Sequence, residues 1–340
     1  MKKRYISQIF ILLAFITLFV QCDKEEPKPL PPDQTNANNV YVVGTEVDSS
    51  HKRGVKMWKN GEDTNITDFT LNWNKEPISV FISNADVYIL YHEYGIIKLW
   101  KNGVITEISN EEFNNATSMY VSGPDVYISG FKYTSIGPAY ARLWKNGTLI
   151  DLSDGKVSSE ANSVFVSGSD VYVAGNVNDS LSLCTARLWK NGIGTNLTGR
   201  EIISNATSVF VKDNDVYVVG IIADMNQNYP TIWKNGVASY LSDKSEMAIV
   251  HSVFVSDSAV YVVGHVGRFA KLWKNGIETN LSDGTKLADA RSVFVSGPDV
   301  YVAGNIFEKG VLWKNGVATN ISNDSIISSV AYSVFVAPNQ

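Results

Sequence analysis

One tetrapeptide, Trp-Lys-Asn-Gly, recurs seven times without change, at Trp58, Trp100, Trp144, Trp189, Trp233, Trp273 and Trp313. The spacings are 42, 44, 45, 44, 40 and 40 residues, the length of a four-stranded propeller blade. Around each copy lie four short runs. Ser-Val-Phe-Val or a near copy comes first, then Val-Tyr-Val/Ile, then the run ending in the tetrapeptide, then a segment like Thr279-Asn280-Leu281-Ser282. All four are β-branched or aromatic runs of strand length bounded by turn residues. Asn-Gly between the third and fourth runs fits a two-residue type I′ turn, because both positions need positive φ. A tryptophan repeated seven times at one position reads as a packing residue between sheets.

Such a sheet cannot cover both of its own faces, and the first run is apolar on both sides. Radial stacking of sheets covers both faces. The chain starts with a second run, Val40-Tyr41-Val42, and ends with a first run, Val334-Phe335-Val336. The economical use of both is a composite blade that closes the ring. The reading is therefore all-β: a seven-bladed β-propeller over residues 38–340.

The unit resembles the HAF-type extracellular repeat, with a Leu-Trp-x-Asn-Gly hairpin followed by Asp-Leu, here Leu143-Trp144-Lys145-Asn146-Gly147 and Asp151-Leu152. It is similar to propeller lipoproteins of Bacteroidetes that carry the same tetrapeptide. The resemblance implies the fold and names no activity.

Lys2, Lys3 and Arg4 precede an apolar stretch from Ile9 to Val20 that is short for a membrane span. It ends at Phe19-Val20-Gln21-Cys22, which resembles a bacterial lipobox, with Gln21 where a small residue is usual. The expectation is a signal peptide over 1–21 and a lipid on Cys22. A proline-rich polar tether over 22–37 would follow. Its Asp23-Lys24-Glu25-Glu26 cluster resembles the surface-export signal of Bacteroidetes lipoproteins, which implies an outer-membrane protein exposed at the cell surface. Loss of the three basic residues in 1–21 takes the net charge from −5 to −8. That balance argues against nucleic acid as a partner. Cys184 is the one remaining cysteine, so no intramolecular disulfide is expected.

Comparison between units separates two kinds of loop. First-to-second and third-to-fourth turns are uniform; second-to-third and fourth-to-first loops vary. In a meander blade both variable sets emerge on one face, around the mouth of the central channel. The tether enters beside the uniform turns, so the variable face should point away from the membrane. Loops on a rigid scaffold are where recognition concentrates. Candidate ligand-binding residues are the loop aromatics Trp73, Tyr91, Phe131 and Tyr133. With them go the varied residues before four of the first strands: Asn162, His251, Arg291 and Tyr332. Tyr94, Tyr140, Tyr229, Phe269 and Phe307 also sit in the variable segments.

His251 and His265 flank one hairpin, but no spacing in the sequence adds the third ligand that a metal site needs, so neither metal nor cofactor is expected. No phosphate loop and no Gly-x-Ser-x-Gly motif occurs. The reading is a monomeric, surface-anchored binding module for a glycan or protein. The alternatives are a propeller glycosidase or lyase with carboxylates at the channel mouth, and a scaffold subunit of an outer-membrane complex.

The anchor is checked by fractionation. Cys22→Ala should move the protein from membrane to soluble fractions. Unchanged fractionation, with no lipid mass on the mature N-terminus, would remove the lipobox reading.

Overall fold

The computed structural model describes residues 38–339, apart from short stretches at 72–73, 110–113, 135–136, 179–182, 225–226, 243–246 and 258. The chain forms seven four-stranded antiparallel sheets. Blade 4 shows the pattern: Ser159–Ser167 innermost, then Asp170–Asn178, Cys184–Lys190 and Ile193–Asn196 at the outer edge. Blades 2, 3, 5, 6 and 7 repeat it over 75–109, 114–151, 203–240, 248–280 and 288–320. Blade 1 is composite. Its innermost strand, Ser328–Ala337, pairs antiparallel with Asn39–Val47, and Arg53–Lys59 and Glu62–Asn65 complete it. The propeller and its closure are as the repeat count implied.

Each tetrapeptide asparagine and glycine has positive φ, as in Asn191 at 52° and Gly192 at 81°. The asparagine also does a second job. Asn191 Oδ1 accepts from Val171 N at 2.8 Å, and its Nδ2 donates to Asp170 at 2.8 Å. Lys190 Nζ lies 2.7 Å from Asp170 and 5.2 Å from the centre of the Tyr172 ring. The hydrogen bonds from Lys190 and then Asn191 hold the Asp170 carboxyl below its ordinary range. Equivalent lysine–aspartate pairs close blades 2, 3, 5 and 7. In all seven blades the lysine lies over the ring of the second-strand tyrosine, at 4.9–5.5 Å, and in five of them it also clasps the aspartate at the start of that strand.

Tryptophan packing joins the sheets. Trp58, Trp144, Trp189, Trp233, Trp273 and Trp313 are buried, each among residues of two adjacent blades. Trp189 and Trp313 donate their indole N–H to Leu152 O and Leu281 O in the preceding blade, at 3.0 and 2.8 Å. A polar tip that finds a partner makes a ring this large cheap to bury. Second-strand glycines permit close pairing at the inner strand: a Cβ on Gly175 would sit 2.0 Å from Glu160 O.

An aromatic collar and a series of serine bonds lock the inner strands to one another. Phe81, Tyr120, Phe165, Phe210, Phe254, Phe294 and Phe335 form a closed collar, each ring centroid 4.6–5.0 Å from the next. Such tilted pairs are worth about 0.5–1.5 kcal/mol each beyond their buried area. Two residues upstream is a serine in every blade. Ser163 Oγ accepts from Val209 N of the next blade at 3.2 Å. The same bond recurs from Ser118, Ser208, Ser252, Ser292 and Ser333. The inner strand's channel edge has no strand beyond it to take its N–H groups. The serine of the preceding blade supplies one acceptor, and burial of an N–H without one is costly. Ser79 completes the set in sequence, but among the described residues its hydroxyl has no partner.

Closure predicts the effect of truncation. Deletion of 328–340 should expose the edge of Asn39–Val47 and the apolar face of blade 7, and break the collar and the serine series, giving aggregation or loss of cooperative unfolding. A monomeric deletion variant with unchanged Tm would contradict a ring closed by this strand.

Candidate channel-mouth site

Each inner strand runs from the variable face toward the uniform face, so residues before the aromatic collar lie on the variable side. Asn162, His251, Arg291 and Tyr332 sit there, but inside the inner strands and not ahead of them. Each falls at a β-bulge, as in the register shift between Ala161 and Ser163. The extra residue turns its side chain toward the next blade.

At some blade boundaries this side chain is a tie. Thr117 and Thr207 hydroxyls donate to Ala161 O and Val250 O in the following blade, at 2.6 and 2.8 Å. Asn162 Nδ2 contacts Ala206 O at 2.9 Å, Asn205 Oδ1 at 3.1 Å and Asn176 Oδ1 at 3.2 Å. Asn162, expected as a ligand-binding candidate, is thus also a structural tie. Its amide saturates an interblade joint, because a bulge at an inner edge leaves backbone carbonyls that only the neighbouring blade can reach.

The other three candidates belong to one polar chain across blades 6, 7, 1 and 2. His265 Nδ1 lies 2.9 Å and His251 Nε2 3.0 Å from the same oxygen, Asp289 Oδ1. Arg291 Nε lies 3.3 Å from Asp289 Oδ2 and donates to Asn305 Oδ1 at 3.3 Å. Its guanidinium lies 5.0 Å from the centre of the Tyr332 ring. Arg53 Nη2 donates to the Tyr332 hydroxyl at 3.2 Å and pairs with Glu76 at 3.5 Å. Burial opposes charge on Asp289, but the hydrogen bonds from the two histidines, with the charges of His251 and Arg291, hold its carboxyl well below the carboxylate range. The histidines do have a third partner. Asp289 is 38 residues from His251 and comes from the next blade, so spacing along the chain could not reveal it.

The loop aromatics divide. Tyr133, Tyr94 and Phe307 are exposed, at 50 %, 52 % and 55 %. Tyr91 and Phe131, expected as exposed, are buried at 0 % and 7 %. Both lie in second strands, Asp86–Glu93 and Asp125–Lys132, before the loops begin. Tyr91 stands where the other six blades have glycine and packs with Val43, Val55 and Ile89. Burial, with the charges of Glu93 and Glu107, pushes its hydroxyl up to about 12. Phe131 stacks edge-on under Tyr133 at 5.0 Å and props that exposed ring. Trp73, like Cys22, lies outside the described residues. Tyr140, Tyr229 and Phe269 are half-buried.

Two features of this face escaped the sequence reading. The variable loops also expose Leu71, Met247 and Leu287, and Phe307 N donates to Leu287 O at 2.6 Å, which brings two exposed apolar side chains to one spot. A cavity of about 510 Å³ opens between blades 3 and 4, lined in part by Ser153, Asp154, Thr185, Arg187, Trp189 and Arg200. Burial and the charge of Arg200 both lower the Arg187 pKa. The signal in sequence was arginine at a third-strand position where only Arg142 repeats it and the other blades have lysine, threonine or valine.

No protein-family profile and no curated protein matches the chain. Solved structures do resemble it. The β-propeller domain of the Trilobed protease from Pyrococcus furiosus aligns with a TM-score of 0.54 at 11% identity, over 85% of this chain and 96% of that one. A prolyl endopeptidase aligns at 0.51 with 11% identity over 89% of this chain, and an acylaminoacyl peptidase from Pyrococcus horikoshii at 0.50 with 14% over 85%. This chain spans about half the length of each of those two peptidases, at 51%. At such identities the likeness establishes the β-propeller fold alone.

The tie at Asn162 predicts a stability effect. Asn162→Ala should leave Ala206 O without its side-chain donor and lower stability by about 1–2 kcal/mol. Chemical denaturation of the 38–340 domain measures it. An unchanged midpoint would return Asn162 to a purely recognitive role.

Proposed function

We propose that this protein is a surface-anchored lipoprotein that binds a glycan or protein ligand through its variable face, without catalysing a reaction. The observation that carries the reading is the asymmetry of the two faces. The uniform face repeats one turn and, in five blades, one lysine–aspartate clasp whose charges are already paired. The variable face offers exposed Tyr94, Tyr133 and Phe307, exposed aliphatic side chains, and a channel mouth whose composition changes from blade to blade. Aromatic rings with one wet edge suit stacking on sugars and anchoring of protein partners. The N-terminal strand starts beside the uniform face, where Val40 N donates to the turn residue Asn60. A lipid on Cys22 would therefore turn the variable face outward.

The test is binding of the soluble 38–340 domain to a glycan array and to envelope proteins. Tyr94→Ala, Tyr133→Ala and Phe307→Ala combined should weaken the ligand found by at least about tenfold, the scale of one lost anchor residue. Lys145→Ala with Lys190→Ala, on the uniform face, should leave binding intact. The reverse pattern would put the binding surface on the other side of the ring.

A further inference from the structure

At two blade boundaries the propeller brings the same three positions together: the bulge residue of one inner strand, the residue after the second-strand glycine position, and the residue two before the bulge of the next blade. Between blades 4 and 5 they are Asn162, Asn176 and Asn205, joined by amide hydrogen bonds. Between blades 5 and 6 the same positions hold Thr207, Ile221 and Ile249. The scaffold thus accepts amides or apolar groups there and does not require ionisable ones. Of the seven boundaries, the one between blades 6 and 7 has a histidine or carboxylate at all three positions: His251, His265 and Asp289.

We propose that His251 Nε2, His265 Nδ1 and Asp289 Oδ1 form a binding site for a divalent transition-metal ion of the zinc class at the mouth of the channel. The three atoms lie within 4.8 Å of one another. Both ring nitrogens already converge on Oδ1, at 3.0 and 2.9 Å. Ligands about 2.0–2.2 Å from a zinc ion stand roughly 3.3 Å apart, so small rotations of the rings open the space. Two imidazoles and a carboxylate form a borderline donor set that suits zinc and its neighbours and disfavours calcium or magnesium. Arg291 engages the other oxygen, Oδ2, at 3.3 Å, which fixes the carboxylate plane and keeps Oδ1 turned toward the two rings. The three side chains keep 16–29 % exposure, so a fourth coordination position faces solvent at the mouth, open to water or to a donor atom of a ligand. Blade 6 supplies both histidines and blade 7 the aspartate, so the ion would also bridge two blades.

Zinc chloride titrated into the chelator-stripped 38–340 domain, followed by calorimetry, tests the site. One equivalent should bind, and thermal unfolding should shift upward with zinc. The combined variant His251→Asn, His265→Asn and Asp289→Asn copies the triad of the boundary between blades 4 and 5, so it is built to fold. It should lose at least a hundredfold in affinity. Wild-type protein that takes up no stoichiometric zinc, or a folded variant that binds as well, would overturn the proposal. Cobalt in the wild-type protein gives a readout that needs no variant. Intense visible bands of a four- or five-coordinate ion are expected, and the weak spectrum of the hydrated ion would count against the site. None of these outcomes depends on whether the variable face binds a glycan or a protein.

Discussion

The pairing of Ser328–Ala337 with Asn39–Val47 is the contact on which the rest of the molecule depends. It joins strands nearly a whole chain apart, and closing so long a loop costs conformational entropy before any contact is gained. The cost is offset because closure completes the aromatic collar and adds a link to the serine series. The aromatic collar needs Phe335 to bridge Phe294 and Phe81. The serine series needs Ser333 to accept from Val80. An open ring would leave the sheets at its two ends each with one uncovered apolar face. This inter-sheet packing, more than any single blade, holds the inner strands in register and so fixes the geometry of the channel mouth.

A scaffold held from the inside leaves its rim free to vary. The constant parts have visible reasons: the asparagine for its turn, the lysine for the tyrosine ring beneath it, the tryptophan for the blade interface, the serine for the neighbour's N–H. At the mouth the demand is weaker. A bulge residue must satisfy or cover a carbonyl of the next blade, and threonine, asparagine and apolar groups all manage. The histidine, aspartate and arginine between blades 6 and 7 go further than that demand, since Asp289 is a nearly buried carboxylate surrounded by three basic side chains. Such a cluster costs desolvation, which its internal hydrogen bonds must offset.

Blade number, strand order, the type I′ turns and closure were legible because repetition converts local signals into a count. The sorting of loops into uniform and variable sets was legible for the same reason. Side-chain environment was less so. Tyr91 and Phe131 look like loop aromatics because they stand next to variable segments, yet the paired strand runs on past both, to Glu93 and Lys132. Asn162 looked free because its partners Asn205 and Ala206 are more than 40 residues away. Asp289 was invisible as a partner of His251 and His265 because it enters from the adjacent blade. Contacts between blades follow the repeat length, and pattern reading within one hairpin does not sample them. The collar could have been read: an aromatic ring stands at one position in all seven first strands, which is more than core packing of a single sheet requires.

Hydrogen exchange of the closing strand measures closure most directly. In the native 38–340 domain, the backbone amides of Val334 and Val336 should exchange as slowly as Val209 and Val211 at the same positions of blade 5. Both strands would then open only with the whole ring. Exchange of Val334 and Val336 at the rate of a frayed terminus, with Val209 and Val211 still protected, would contradict a propeller closed by its C-terminal strand.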